Sequence, residues 1–81
     1  MFFAQLKLSD NGPQAGRFLE GHKAWIRRGF DDGVFLLAGG LKPAGGGGIV
    51  AHNTSLPDLE ARMNRDPFVA ENVVLAEIRV S

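Results

Sequence analysis

A short apolar run, Val34-Phe35-Leu36-Leu37-Ala38-Gly39-Gly40, lies near the middle of this chain. It follows the turn-forming segment Asp31-Asp32-Gly33, and it is apolar at consecutive positions rather than at alternate ones. This pattern is typical of a strand that is covered on both faces. We therefore predict a strand from Val34 to Gly40 near the middle of the chain, and the halves of the chain before and after it are similar.

The other elements are predicted from apolar spacing and from turn residues. They are strand one (Phe2 to Leu8), a helix that follows the break at Ser9 to Pro13 and extends to Gly29, an irregular glycine-rich loop (Leu41 to Gly48), strand three (Ile49 to His52), a second helix (Pro57 to Arg65) and strand four (Val73 to Val80). The second helix should end at Asp66-Pro67, because proline pushes the residue before it out of the helical region.

The order βαββαβ restricts the fold. With right-handed crossovers it predicts an α+β, ferredoxin-like domain, in which a four-stranded antiparallel sheet has the strand order 4-1-3-2 and both helices on one face. Strands one, two and four carry apolar residues on both sides. We therefore expect the open face of the sheet to be buried against the same face of another copy.

The size of the chain also favours self-association. Its 81 residues are predicted to form a single domain (1–81), which is too small to bury a large core. The chain contains no cysteine and only two histidines, so we expect neither disulfides nor a structural zinc site. Oligomerisation is the remaining stabiliser, and we predict a homodimer or a higher homo-oligomer.

The charge pattern excludes two classes of partner. Nine basic and nine acidic residues give a net charge of zero, so we expect no nucleic-acid partner and no anionic membrane surface. No stretch approaches the length of a membrane span, and the first residues do not form a signal peptide. We expect a cytoplasmic protein whose partners are a small molecule and another copy of itself.

Two residues are candidates for chemistry. His22 is the titratable side chain on the apolar stripe of the first helix, and imidazole changes charge near neutral pH, which suits proton transfer. Asp66 lies at the end of the second helix, which the topology places beside the start of the first. The alternatives are structural: His22 could be a hydrogen-bonded histidine at the edge of the core, and Asp66 a capping residue. We predict that the two side chains make a direct or single-water hydrogen bond.

Three other features of the sequence give weaker evidence of a functional role. His52 should lie at the opposite end of the sheet, as an ordinary surface residue. The glycines from Gly45 to Gly48 are not followed by Lys-Ser/Thr or by a helix, so they match no phosphate-binding fingerprint. Lys23 is expected to point away from the core with the other charged residues of the first helix.

The chain resembles the YCII-related family in three places. These are the histidine of the first helix, the segment Leu36-Leu37-Ala38-Gly39-Gly40 and the segment Asp66-Pro67-Phe68-Val69-Ala70. The resemblance implies a ferredoxin-like fold, a dimeric α+β barrel, and an active site in which the family's histidine and aspartate map onto His22 and Asp66. Some relatives are dehydrochlorinases of hydroxylated aromatic rings.

The chain departs from the family pattern at three positions. Gly40 stands where the family often has proline, Leu19 where it has arginine, and Asn72 where it has glycine. Loss of the arginine weakens the expectation of an anionic substrate at that position.

Three functions follow as hypotheses. The first is a small lyase-like enzyme that uses His22 and Asp66 for acid/base chemistry, needs no cofactor or metal, and binds substrate at Gly39, Gly40 and Phe68. The second is a metabolite-binding or accessory module in which the same residues only hold a ligand. The third is a structural dimer with no pocket.

Overall fold

A computed structural model describes residues 1–40 and 45–80 of the chain. Its elements are β1 (Phe2–Leu8), a short 3-10 helix (Gly12–Gln14), α1 (Ala15–Asp31), β2 (Phe35–Gly40), β3 (Gly47–Ala51), α2 (Leu56–Met63), α3 (Pro67–Ala70) and β4 (Val74–Val80). The predicted order βαββαβ is confirmed, with α3 as an additional element before the last strand.

The four strands form one antiparallel sheet in the order β2-β3-β1-β4, which confirms the predicted order. The first and last strands in sequence lie side by side, because each half of the chain returns to the sheet through a crossover that contains a helix. The architecture is the predicted α+β, ferredoxin-like one.

The core lies between the helices and one face of the sheet. Its buried side chains come from alternate strand positions and from both long helices: Ala4, Leu6, Trp25, Val34, Phe35, Ile49, Ala51, Leu59, Met63, Val73 and Val74. The indole nitrogen of Trp25 donates a hydrogen bond to the carbonyl oxygen of Arg62 at 3.0 Å, which ties α1 to the last turn of α2. Gly29 lets α1 approach β2 closely, since a Cβ there would lie 2.1 Å from Cδ2 of Phe35.

The opposite face of the sheet is open in the single chain. Leu37 pairs with Val50 and Val50 pairs with Phe3, so the three side chains form an apolar row across neighbouring strands. Leu37 is 65% exposed. The prediction of a strand covered on both faces is therefore not met for β2 within one protomer. A register irregularity between Phe35 and Leu37 also interrupts the pairing of β2.

Two further predictions need correction. Gly47 and Gly48 were expected in an irregular loop, but they pair with Gly40 and Gly39 and belong to β3. Residues 41–44 of the predicted loop lie outside the described residues. Asp66-Pro67 does end the second helical segment, yet it also starts α3, because the Asp66 side chain accepts a hydrogen bond from the backbone of Phe68.

In the described part of the chain, no helix is both long and apolar enough to cross a membrane.

Candidate active site

His22 is held at the edge of the core by α1. Trp25, three residues further on, is buried, so His22 lies on the same side of the helix and its side chain is only 13% exposed. The imidazole stacks on the ring of Phe68, with 4.0 Å between ring centroids and 7° between ring planes. These neighbours restrict the orientation of the imidazole ring.

Asp66 is buried completely, at the junction between α2 and α3. Its backbone is extended (φ −63°, ψ 123°), as expected of a residue that caps a helix start. Oδ1 accepts a hydrogen bond from the backbone N–H of Phe68 at 3.0 Å. Oδ2 has no hydrogen-bond partner among the described residues.

The two candidate residues meet. Nδ1 of His22 lies 2.7 Å from Oδ1 of Asp66. A carboxylate oxygen accepts, so we assign the proton to Nδ1, and this leaves the lone pair of a neutral imidazole on Nε2. Gly21 helps to bring α1 and α3 together, because a Cβ there would lie only 3.0 Å from Cγ of Pro67.

Nε2 of His22 is directed away from Asp66. It has no hydrogen-bond partner within residues 1–40 and 45–80. A carboxylate that orients the ring through Nδ1, with Nε2 unpaired among the described residues, is an arrangement suited to proton transfer.

A cavity of about 420 Å³ lies next to His22, between α1 and the sheet. Its lining comes from α1, from all four strands, from Gly46 just before β3 and from α3: Leu6, Leu8, Leu19, His22, Lys23, Ile26, Phe30, Ala38, Gly39, Gly40, Gly46, Gly47, Gly48, Ile49, Phe68 and Val74. The volume is in the range of small-molecule sites, and the lining is mainly apolar.

Glycines create this space. Gly40 pairs with Gly47, and Gly47 pairs with the buried Leu6, so both glycines are on the helix side of the sheet. Among the residues that the structure describes, a Cβ at Gly40 would meet no atom closer than 3.9 Å. Because these two facing positions carry no side chain, the region between α1 and the ends of β2 and β3 is not filled.

The predicted site residues fall into two groups. His22, Gly39, Gly40 and Phe68 line the cavity, whereas Asp66 lies behind His22 and does not. His52 follows β3 at the end opposite to Gly47 and takes no part in the lining, as expected.

The sequence reasoning missed the cavity face of α1. Leu19, Ile26 and Phe30 line the cavity, and so does Lys23, which we expected to point away from it. Lys23 is exposed, but its side chain borders the opening. Positions 19, 22, 23, 26 and 30 have the spacing of one helix face, so the sequence did indicate that these residues lie on the same side of α1.

No group of three His, Cys, Asp or Glu side chains that could hold a metal ion occurs within the described ranges 1–40 and 45–80.

No protein-family model matches this chain, and no curated protein matches it. A solved structure does resemble it, namely 5-chloro-2-hydroxyhydroquinone dehydrochlorinase (TftG) from Burkholderia phenoliruptrix AC1100 in complex with 2,5-dihydroxybenzoquinone. The TM-score is 0.78 at 12% sequence identity, and the match covers 100% of this chain and 93% of that one. At this identity the similarity establishes a shared fold.

Proposed function

We propose that this chain is a YCII-related enzyme of the cytoplasm, active as a homodimer, that uses His22 for acid/base chemistry on a small ring-bearing molecule. The observation that carries the proposal is the 2.7 Å contact between Nδ1 of His22 and Oδ1 of Asp66, made by a histidine that lines the cavity. The reaction class is a lyase-type elimination. The fold shared with a dehydrochlorinase supports this class.

Loss of HCl from a chlorinated hydroxyhydroquinone illustrates the chemistry. The ring first tautomerises: one hydroxyl proton moves to the carbon that bears chlorine, and the O–H electron pair becomes part of a carbonyl, so that this carbon is sp3. A base then takes a proton from a second hydroxyl, that O–H electron pair forms a second carbonyl, the ring double bond shifts, and chloride leaves with the C–Cl electron pair to give a hydroxybenzoquinone and HCl. His22 Nε2 is the proposed base. Asp66 would act as a positioning residue, since it touches the imidazole and not the cavity. Gly39, Gly40 and Phe68 would contact the ring.

The direct test is chloride release from 5-chloro-2-hydroxyhydroquinone, compared between the wild type and Asp66→Asn. Asparagine can keep an acceptor for the backbone N–H of Phe68, but it removes the charge that stabilises a protonated imidazole. We expect kcat to fall on the order of 10²-fold with little change in KM. If Asp66 has a purely structural role, Asp66→Asn would lower the melting temperature but would not lower kcat at an unchanged KM. Asp58→Asn removes the same charge from an exposed position on α2 and should leave kcat unchanged.

The alternative function is a metabolite-binding module without catalysis. One observation favours it: Asp66 already has a structural role as the cap of α3, so its contact with His22 does not require a reaction. The assay separates the two functions, because ring binding without turnover of any chlorinated hydroxyhydroquinone would support the binding module.

The size of the ligand gives a further prediction. Gly40→Val should fill the cavity, since its side chain would enter open space on the helix side of β2. We expect the affinity for 2,5-dihydroxybenzoquinone to fall about 10-fold or more, with Gly40→Ala intermediate. Titration calorimetry would measure this.

Gly16→Val is the control for this series. It adds the same atoms to an exposed position of α1 that has no neighbour within 4 Å of the added Cβ and does not line the cavity. Undiminished affinity in the folded Gly40→Val variant would place the ligand elsewhere.

A further inference from the structure

The lining of the cavity has an uneven distribution of polar groups. Of its sixteen described residues, His22 and Lys23 alone carry a polar side chain. Both belong to α1 and are adjacent in sequence, so both lie on the α1 side of the cavity. The backbone groups of the lining glycines can also form hydrogen bonds, but Lys23 is the lining side chain that can offer a full positive charge to an ionised oxygen, which is costly to bury without a partner.

Lys23 has no acidic partner within the described residues. The ion pairs there are Lys7 with Glu77, Arg79 with Glu77, Arg62 with Asp32, and His22 with Asp66. Glu20, one turn before Lys23 on the same helix, does not pair with it. The ammonium group is thus free to interact with a ligand, while its methylene stem can lie along the apolar wall.

The charge balance of the site also favours a ligand anion. Asp66 does not line the cavity, and its side chain is bonded to His22 and to the backbone of Phe68 rather than to Lys23. Leu19, one turn before Lys23 on the cavity face, adds no charge. With a neutral His22, Lys23 is therefore the one charged side chain among the described lining residues, and a cation beside apolar walls attracts anions.

We infer that Lys23 selects ligands with an ionised oxygen, and that the ligand class is a single ring bearing a phenolate or vinylogous carboxylate. The ring occupies the apolar part of the cavity, and its charged oxygen lies at the edge formed by His22 and Lys23. Lys23 is in this sense a specificity residue. The inference rests on the proposed function, because it takes the same cavity as the substrate site.

A matched pair of rings tests the inference. 2,5-Dihydroxybenzoquinone is a vinylogous acid that is ionised at neutral pH, and 2,5-dimethylbenzoquinone is a neutral ring of nearly the same shape. The chain has no cysteine, so neither quinone can add to a thiol. Equilibrium binding of each is measured by calorimetry for the wild type, Lys23→Met, Lys23→Arg and Arg27→Met. Methionine keeps the apolar stem, and Arg27 is an exposed cation one turn along α1 that does not line the cavity.

We expect Lys23→Met to weaken binding of the dihydroxy ring about fivefold, as for a partly solvated charge contact, and to leave the dimethyl ring within about twofold. Lys23→Arg should restore most of the affinity, and Arg27→Met should change neither. Salt should weaken binding of the dihydroxy ring in the three proteins that keep a cation at position 23 and should have little effect in Lys23→Met. Equal loss for both rings, equal loss in Arg27→Met, or no binding of either ring would overturn the inference. The test needs no turnover, so it can succeed even where His22 variants show that the chain is not an enzyme.

Discussion

His22→Gln should lower turnover on the order of 10²-fold or more while the chain stays folded. Glutamine can still donate a hydrogen bond toward Oδ1 of Asp66, but it has no nitrogen that takes and releases a proton near neutral pH. The measurement is kcat for chloride release, with the melting temperature recorded for each variant. Among the changes considered for this chain, this one has the largest expected effect on rate.

The choice of glutamine follows from the burial of Asp66. His22→Ala should also lose turnover, but it would leave a fully buried carboxylate without its hydrogen bond from His22, which typically destabilises a protein by about 1–3 kcal/mol and by more when the group is charged. A chain of 81 residues buries a small core, so its free energy of unfolding is expected to be small. Loss of activity in His22→Ala could therefore reflect unfolding, whereas the same loss in a folded His22→Gln could not.

His52→Gln is the control for this experiment. It makes the same chemical change at the far end of β3, outside the cavity, and should leave kcat unchanged. Full turnover in a folded His22→Gln protein would remove His22 from the mechanism.

Leu37→Asp should convert the proposed homodimer into a folded monomer. Leu37 lies in the apolar row with Val50 and Phe3 on the open face of the sheet, and it is 65% exposed in the single chain. The substitution therefore leaves the core of the protomer intact, but in a two-fold dimer it buries two carboxylates. We expect the dimer dissociation constant to rise about 10³-fold or more.

Sedimentation equilibrium measures this shift, and circular dichroism verifies the fold. Leu56→Asp is the matched control, because it places the same carboxylate on a partly exposed leucine of α2, on the helix side of the sheet. A wild-type chain that is monomeric at micromolar concentration, or a Leu37→Asp variant that remains a dimer, would show that the open face is not the interface.

The sequence was sufficient for the fold where local and tertiary preferences agree. Strand one has apolar residues at alternate positions, and turn residues mark the ends of the elements. The order of the elements and the sheet topology therefore follow from general rules. The prediction failed at Gly47 and Gly48, since glycine has a low intrinsic preference for strands. There the antiparallel pairing with β1 and β2 overrides local preference.

The third helix was missed for a related reason. Asp-Pro was interpreted as a stop signal, and it does end the preceding helical segment. The same pair is also a start signal, with aspartate as cap and proline at the first helical position. A stretch of four residues, Pro67–Ala70, is too short to show a helical period.

The site was predictable in part. His22 and Asp66 could be placed near each other because the topology sets the start of one helix beside the end of another. The cavity could not be predicted, since it arises from missing side chains at two paired positions, Gly40 and Gly47, and only the register between β2 and β3 sets them opposite each other. Lys23 was misplaced because a periodic pattern assigns a charged residue to solvent and does not indicate a cavity opening.

The double attachment of Asp66 has a consequence for how this chain can diverge. Its Oδ1 both holds His22 and caps α3, so the start of α3 would need an oxygen acceptor even in a lineage that had abandoned the reaction. Such a lineage would be free to replace His22 but would still be selected for a capping side chain at position 66. Under the proposed function, persistence of the acid would report folding, and persistence of the imidazole would report chemistry. We expect descendants that keep Asp66 but lose His22 to fold normally and to lack the proposed reaction.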